Sequence, residues 1–167
     1  FQYTPNQGFA GTDSFTYRAS DSVLESDLTS VTVEVQSIAS DEFNTGELNS
    51  AIWTFVNPLD DGSVNLAGGT ANIAVPGGSS HDIWTKGVDA PRLMQDVQNV
   101  DFSVEAKFDI PPSGRYAMTG ILIEGAGGEY LRLGFYSDGS KLNLFGALIN
   151  GGSASVLANV AIGSPAE

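Results

Sequence analysis

Residues 81–95, HDIWTKGVDAPRLMQ, hold the side chains best suited to chemistry in this chain. They include the only histidine, His81, and one of the two tryptophans, Trp84, followed by Arg92 and Gln95. Indole rings stack on apolar ligand faces, whereas guanidinium and amide groups donate hydrogen bonds to polar ligand atoms. The residue types leave Trp84 open as a ligand contact or a core anchor, and we favour a structural role for both His81 and Trp84. They favour ligand contacts for Arg92 and Gln95.

Catalytic and zinc centres have few candidates. One histidine and no cysteine exclude a zinc site with the ordinary ligands. The chain also has no Gly-x-Ser-x-Gly elbow, phosphate loop or dinucleotide fingerprint. A retaining glycosidase needs two carboxyl groups about 5 Å apart. Glu124 and Glu129 flank a glycine-rich loop without a third acid, so we predict that the protein is not an enzyme.

The elements that must position these side chains are strands. Apolar and polar residues alternate in DSFTYRAS, TSVTVEVQ, DFSVEAKFDI and EYLRLGFYSDG, at residues 13–20, 29–36, 101–110 and 129–139. This period of two indicates half-buried strands. Glycine turns separate the runs and no convincing helical stripe occurs, which predicts an all-β fold of antiparallel sandwiches.

The strand in EYLRLGFYSDG supplies further ligand candidates. Its Leu131, Leu133 and Phe135 are predicted to face the core. The opposite face then lies on an outer or concave surface and carries Tyr130, Arg132 and Tyr136. These residue types can bind sugars, but the tyrosines could equally shield the sheet while Arg132 pairs with a carboxylate. Tyr116 is a further aromatic candidate for sugar binding.

The charge balance excludes some partners. The net charge is −13, with 20 acidic and 7 basic residues. Nucleic-acid binding needs clustered Lys and Arg, and an anionic membrane surface attracts cationic segments. No apolar run approaches the ~20 residues of a membrane helix. We therefore predict no nucleic-acid partner and no membrane insertion.

The first segment resembles a known kind of repeat. FQYTPNQGFAGTDSFTYRASDSVLESDLTSVTVEVQ resembles the final strands of cadherin-like or immunoglobulin-like repeats of large bacterial surface and secreted proteins. The resemblance is carried by Tyr3, Pro5, Gly8, Phe9, Gly11, Asp13, Phe15, Tyr17, Val31, Val33 and Val35. It implies that residues 1–37 are the C-terminal strands of such a repeat, with Phe15 and Tyr17 in the core. Asp13 is either a calcium ligand or, as we favour, a turn cap.

The second segment resembles another fold. DEFNTGELNSAIWTF, DFSVEAKFD and TGILIEGAGGEYLRLGFYSDG occur in the order seen in concanavalin A-like lectin/glucanase jelly rolls, notably the laminin G-like modules of secreted bacterial proteins. This resemblance implies a jelly roll over residues 38–167, truncated at its C-terminus. The Glu-x-Asp-x-x-Glu strand of the related glucanases is absent. Related modules often hold a structural ion near the position of Asp41, which makes Asp41, Asp60 and Asp61 weak candidate calcium ligands.

These expectations combine into one predicted function. We predict a non-catalytic, extracellular or cell-surface binding module within a larger secreted or surface-anchored multidomain protein. Its expected partners are a glycan or cell-surface polysaccharide and the adjacent domains of the same polypeptide. The alternatives are a spacer or adhesin stalk stiffened by calcium and, ranked lower, a glycoside hydrolase.

Overall fold

The computed structural model describes residues 3, 11–35, 38–97, 102–109 and 111–164. Within these residues the regular secondary structure consists of strands. They are β1 Gly11–Tyr17, β2 Thr29–Val35, β3 Thr54–Val56, β4 Ser63–Ala67, β5 Thr70–Ala74, β6 Ile83–Trp84, β7 Gly87–Val88, β8 Arg92–Met94, β9 Met118–Glu124, β10 Tyr130–Ser137, β11 Leu142–Asn150 and β12 Ser153–Gly163. The predicted all-β class is confirmed. The described residues include no helix long and apolar enough to cross a membrane.

The chain divides into two compact units. The first comprises Phe1–Thr54, Leu66–Thr70 and Leu93–Val104, and the second comprises Phe55–Asn65, Ala71–Arg92 and Glu105–Glu167. The predicted domain boundary between residues 37 and 38 stays a prediction, since residues 36 and 37 lie outside the described residues.

An antiparallel hairpin of β1 and β2 lies in the first unit. It matches the two strands predicted from DSFTYRAS and TSVTVEVQ. Phe15 lies opposite Val31 and is half-buried, as the alternation requires for one face. Tyr17, which we expected in a core, is 48% exposed. A two-stranded ribbon covers only part of its apolar face, so the alternation overstates the burial of this residue.

The second unit is built around a four-stranded antiparallel sheet in the order β12–β11–β10–β9. Tight turns at Gly125–Gly128, Asp138–Gly139 and Asn150–Gly152, all predicted from sequence, connect consecutive strands. The register sets Tyr136 opposite Met118 on one side and Asn143 on the other. A bulge in β12 near Leu157 shifts its pairing with β11.

One face of this sheet, here called the Tyr130 face, carries the core of the second unit. Its buried residues are Tyr130, Phe145, Ala147 and Ile149. The short hairpin of β6 and β7 packs Ile83, Trp84 and Val88 against them. The structure thus puts the core on the face that we predicted to be outer or concave.

The opposite face is more exposed than predicted. Leu133, expected in the core, is 41% exposed, and its neighbour Leu144 is 47% exposed. Phe135 retains one aromatic neighbour, since its ring meets that of Phe108 edge-on at 6.2 Å. The prediction was wrong because an alternating pattern defines two faces without saying which one the other elements cover.

The strand predicted over residues 101–110 is also wrong for residues 102–109, the part of it that the structure describes. Residues 102–109 are described and contain no strand. Phe102 and Val104, expected on a buried face, are 41% and 38% exposed. Residues 102–109 pair with none of the described strands. The following Pro111 and Pro112 have no backbone N–H group and cannot donate hydrogen bonds to a neighbouring strand.

Gly120 and Gly134 are paired across β9 and β10 where the backbones leave no room for side chains. A Cβ atom on Gly134 would lie 2.2 Å from the carbonyl oxygen of Thr119, and one on Gly120 equally close to that of Leu133. Gly134 lies between Arg132 and Tyr136 on the Tyr130 face. These two large side chains are therefore separated by a position with no side chain.

Candidate ligand-binding site

A cleft of about 580 Å³ opens over the Tyr130 face of the second unit. This volume lies within the range of ordinary small-molecule sites. The sheet supplies one wall, and the segment that leads into β6 supplies another. The lining residues are Ser80, His81, Asp82, Trp84, Tyr116, Met118, Arg132, Tyr136, Phe145, Val156 and Asn159. Aromatic rings and polar groups thus share one cavity.

The aromatic floor of the cleft is anchored in the core. Phe145 contacts two other rings, with centroids 6.1 Å from Trp84 and 5.7 Å from Tyr136. The hydroxyl of Tyr130 donates a hydrogen bond to the backbone carbonyl oxygen of Trp84. Trp84 therefore has both roles left open by the sequence. It packs on Phe145 and also presents part of its surface to the cleft.

Arg132 is the cation of the cleft. Its side chain is 12% exposed, and its guanidinium carbon lies 5.7 Å from the centre of the Trp84 ring. Burial lowers the pKa of Arg132, while the nearby Asp82 carboxylate acts in the opposite direction. The nearest recorded carboxylate oxygen, on Asp82, is 3.9 Å from Nη1. This is beyond hydrogen-bond distance.

His81 is held at the edge of the cleft by a contact from the same unit. Its Nε2 lies 2.8 Å from Oδ1 of Asp61, and the His81 side chain is 6% exposed. The neighbouring Asp82 turns outward, with its side chain 60% exposed. Asp82 also accepts a backbone hydrogen bond at its carbonyl oxygen from Asp89, across the β6–β7 hairpin. The His81–Asp61 pair therefore fixes the loop and leaves Asp82 as the accessible acid.

Tyr116 forms the rim of the cleft in an uncommon backbone conformation. Its φ is 67°, in the left-handed region that costs about 1–2 kcal/mol for a residue with a Cβ atom. Backbone hydrogen bonds hold it there, from Tyr116 to Ser137 and from Ser137 to Ala117. The ring is 67% exposed, and the guanidinium of Arg115 lies 4.7 Å from its centre. Tyr116 thus presents an accessible ring to the cleft.

Four of the predicted ligand contacts come together in this cleft. They are Trp84, Tyr116, Arg132 and Tyr136. Tyr130, predicted beside them, packs in the core and supports Trp84 from behind. Burial raises the pKa of Tyr130 above its ordinary value of 10.0.

Arg92 and Gln95 are engaged by the protein itself. Arg92 forms a 2.9 Å ion pair with Glu124 and donates to the carbonyl oxygens of Val88 and Ala90. Gln95, in the first unit, both donates to and accepts from the backbone of Ala39, at 2.9 and 2.8 Å. These contacts indicate that both residues hold chain segments in place.

The predicted calcium ligands have protein partners. Asp41 accepts hydrogen bonds from the indole of Trp53, at 2.9 Å, and from the backbone of Phe43, at 2.8 Å. Asp61 pairs with His81, and Asp60 lies in a turn with φ 54°. The described residues contain no group of three or more His, Asp or Glu side chains arranged to hold a metal. Calcium binding stays a prediction.

The paired carboxylates considered for hydrolysis lie at the β9–β10 turn. Glu124 forms the ion pair with Arg92. Glu129 curls over the turn, where its carboxylate lies so close to Gly125 and Gly127 that a Cβ atom on either would collide with it. The Glu124 carboxylate is therefore paired with a cation, and the Glu129 carboxylate is packed on the turn backbone. Neither environment favours the nucleophile and the acid of a glycosidase.

Several lining residues were not predicted as ligand contacts. Met118 lies opposite Tyr136, and Asn159 lies opposite Phe145, so both follow from strand register. The Asp138-Gly139 turn signals the β10–β11 hairpin and would have located Phe145. Asn159 also depends on the bulge in β12, for which the sequence carries no evident signal.

Comparison with known proteins bears on the first segment. Residues 1–36 match the family model of a bacterial Ig domain. The match confirms the Ig-like part of the resemblance, and it supplies no support for the concanavalin A-like part. No curated protein and no solved structure matches the chain. Bacterial Ig domains are typically found on extracellular or surface proteins, so the match indicates an extracellular module of a larger protein.

Local hydrogen bonds order the described part of this Ig-like segment. Asp13 accepts from the hydroxyl of Tyr3 and the backbone of Ser14, both at 2.7 Å, and these bonds lower its pKa. In the connection between β1 and β2, Asp21 accepts from the backbone of Leu24 and Val23, which lowers its pKa too. Both carboxylates thus act as hydrogen-bond acceptors, but Asp13 lies within β1 and does not cap a turn, the role that we favoured for it.

Proposed function

We propose that the second unit is a non-catalytic carbohydrate-binding module, whose ligand lies in the cleft over the Tyr130 face. One observation carries the proposal: Trp84, Tyr116 and Tyr136 surround polar side chains in a single cavity of about 580 Å³. Sugar rings have apolar faces that stack on aromatic rings and hydroxyl groups that need directed donors and acceptors. The cleft offers both.

The polar groups suit hydroxyl recognition. Asp82 accepts hydrogen bonds, Arg132 donates them, and Asn159 does both. All three line the cleft with the aromatic rings. The same composition disfavours a purely apolar ligand, which would offer the partly buried Arg132 no acceptor beyond the weak one of Met118.

The jelly-roll assignment belongs to this proposal. A four-stranded antiparallel sheet with its core on one face is compatible with one layer of a concanavalin A-like sandwich. Together with the bacterial Ig match of residues 1–36, such a module fits a secreted or surface-anchored protein that attaches to a glycan or cell-surface polysaccharide. The net charge of −13 argues against nucleic acid as the ligand.

A glycan array probed with the whole chain tests the proposal. We expect binding to at least one glycan, weakened about 3–10-fold by Tyr116→Ala, since stacking contributes about 0.5–1.5 kcal/mol. Tyr17→Ala is the matched control, because Tyr17 is an exposed tyrosine of the Ig-like segment. No binding to any glycan, or equal losses in both variants, would overturn the proposal.

A spacer or adhesin stalk stiffened by calcium is the second candidate. The bacterial Ig match favours it, since repeats of this kind occur in large surface proteins. A calcium-dependent rise in melting temperature without glycan binding would support it. A glycoside hydrolase is a third and weaker candidate, supported only if reducing sugar is released and the release is lost in Glu124→Gln.

A further inference from the structure

Arg132 is a cation of the cleft with few hydrogen-bond partners among the described residues. A guanidinium carries five N–H donors. Those of Arg132 have two recorded partners: the thioether sulfur of Met118 at 2.8 Å, a weak acceptor, and Asp82 at 3.9 Å. Among the described residues, no carboxylate is recorded within hydrogen-bond distance of this cation.

Arg92, in the same unit, has stronger acceptors than Arg132, although its buried Nε has no hydrogen-bond partner among the described residues. It is buried to a similar degree, with 16% of its side chain exposed against 12% for Arg132. Yet it has the Glu124 carboxylate at 2.9 Å and two backbone carbonyl oxygens at 3.2 Å. The two arginines therefore differ in their partners far more than in their burial.

We infer that the ligand of the cleft is a saccharide that carries a carboxylate, and that Arg132 binds this group. The inference rests on the proposed function, that the cleft binds carbohydrate. A carboxylate accepts two parallel hydrogen bonds from a guanidinium, a geometry that a single hydroxyl cannot offer. It would supply Arg132 with the kind of partner that Glu124 supplies to Arg92.

Because Arg132 is largely buried, a ligand carboxylate would interact with it more strongly than with an exposed arginine. A charge taken from water without compensation is costly, and few recorded contacts compensate Arg132. The Trp84 ring near the guanidinium is electrostatically favourable but carries no net charge. A ligand carboxylate would complete the compensation, while the sugar ring to which it is attached stacks on Trp84, Tyr116 or Tyr136.

Two electrostatic effects oppose the binding of an anionic ligand, one from Asp82 and one from the net charge of the chain, and neither removes the inference. Asp82 is 60% exposed, so it can turn into solvent as the ligand carboxylate binds. The net charge of −13 repels anions at long range, but salt screens this repulsion beyond about 8 Å at physiological ionic strength. A carboxylate in contact with Arg132 gains its attraction at a shorter distance.

Calorimetric titration of the whole chain with oligogalacturonate, oligomannuronate and oligoglucuronate tests the inference. The matched probes are the same oligomers after their carboxyl groups have been reduced to neutral alcohols. We expect at least one acidic oligomer to bind about tenfold more tightly than its reduced form. The Arg132→Gln variant should abolish the difference, whereas Arg132→Lys should keep part of it.

Asp82→Asn gives a second measurement that does not depend on how well Arg132 variants fold. Because Asp82 is exposed, its substitution should leave the melting temperature nearly unchanged. It should raise the ratio of acidic to reduced oligomer affinity, since removing a competing carboxylate favours the acidic oligomer alone, whereas a lost hydroxyl contact weakens both oligomers. An unchanged or lower ratio would contradict the inference.

The outcomes separate the inference from the proposed function. Equal binding of acidic and reduced oligomers, or a preference that survives Arg132→Gln, overturns the carboxylate inference and leaves carbohydrate binding intact. Binding of neutral glycans alone does the same. Failure of every acidic and neutral saccharide to bind overturns both.

Discussion

The hydroxyl of Tyr130 donates a hydrogen bond to the backbone carbonyl oxygen of Trp84. This contact joins the start of β10, a central strand of the sheet, to the short β6–β7 hairpin that covers the sheet. The two residues are 46 positions apart in the sequence. The contact places the Trp84 ring against Phe145 and beside the cation of Arg132. The cleft thus depends on a residue that does not line it.

Tyr130→Phe is expected to lower stability by about 1 kcal/mol, because it leaves the Trp84 carbonyl oxygen without this donor. For a chain of this size that is a fall of about 2–4 °C in melting temperature, measurable by calorimetry. The substitution should also weaken ligand binding through displacement of Trp84. A melting temperature equal to that of the unsubstituted protein would show that water replaces the lost donor.

Alkaline pH should destabilise the second unit through the same residue. Burial raises the pKa of Tyr130 in the folded state above its ordinary value of 10.0. The stability that the neutral hydroxyl provides is therefore complete below pH 10 and is lost as pH rises through the folded pKa. Unfolding in denaturant at pH 9 and pH 11 measures this loss. It should be smaller in Tyr130→Phe, and an equal loss would assign the effect to other groups.

Tyr116 allows stability and binding to be separated. Its φ of 67° suits glycine and strains other residues. We expect Tyr116→Gly to be about 1 kcal/mol more stable than Tyr116→Ala, while both lose the same stacking contact with the ligand. Thermal denaturation and glycan titration of the two variants measure these effects. Equal stabilities would show that the backbone relaxes out of this conformation.

Gly134→Ala is expected to destabilise the four-stranded sheet by about 1–3 kcal/mol, because the new Cβ atom would lie 2.2 Å from the Thr119 carbonyl oxygen. Gly114→Ala is the matched control. A Cβ atom there meets only the Ala117 side chain, at 3.9 Å, so its effect should stay within about 0.5 kcal/mol. Denaturant unfolding of both proteins makes the comparison, and similar stabilities would show that β9 and β10 can separate without cost.

The ion pair of Arg92 and Glu124 can be tested by a double-mutant cycle. Arg92→Met leaves Glu124 and two carbonyl oxygens without their donor, and we expect a loss of about 1–3 kcal/mol. Adding Glu124→Gln should recover part of that loss, because it removes the unpaired charge. Losses that simply add would show that the two residues do not interact in solution.

Local pattern predicted several elements correctly. Alternation located β1, β2 and β10, and glycine turns located the connections that follow β9, β10 and β11. Both signals are local: alternation reflects the pleat of a strand, and a turn residue reflects its own backbone angles. Trp84, Arg132 and Tyr136 were also predicted as ligand contacts, from residue type and their places in the strand pattern, and they line one cleft.

Contacts between residues that are distant in sequence could not be predicted from local patterns. Arg92 and Arg132 are the same residue type with similar burial, and the sequence made both of them candidate ligand contacts. The deciding fact is that Glu124 reaches Arg92 and leaves Arg132 to weaker partners. Likewise, no local pattern marks Tyr116 as a left-handed residue held by Ser137.

By itself, the sequence determined that this chain is all-β and where several of its strands and turns fall. Only the tertiary structure decided which face of the four-stranded sheet is covered, and therefore that Tyr130 is a support and Arg132 an incompletely paired cation. The physical reason is that a period of two assigns residues to two faces symmetrically. The choice between those faces is made by elements far away in sequence, here the hairpin that carries Trp84.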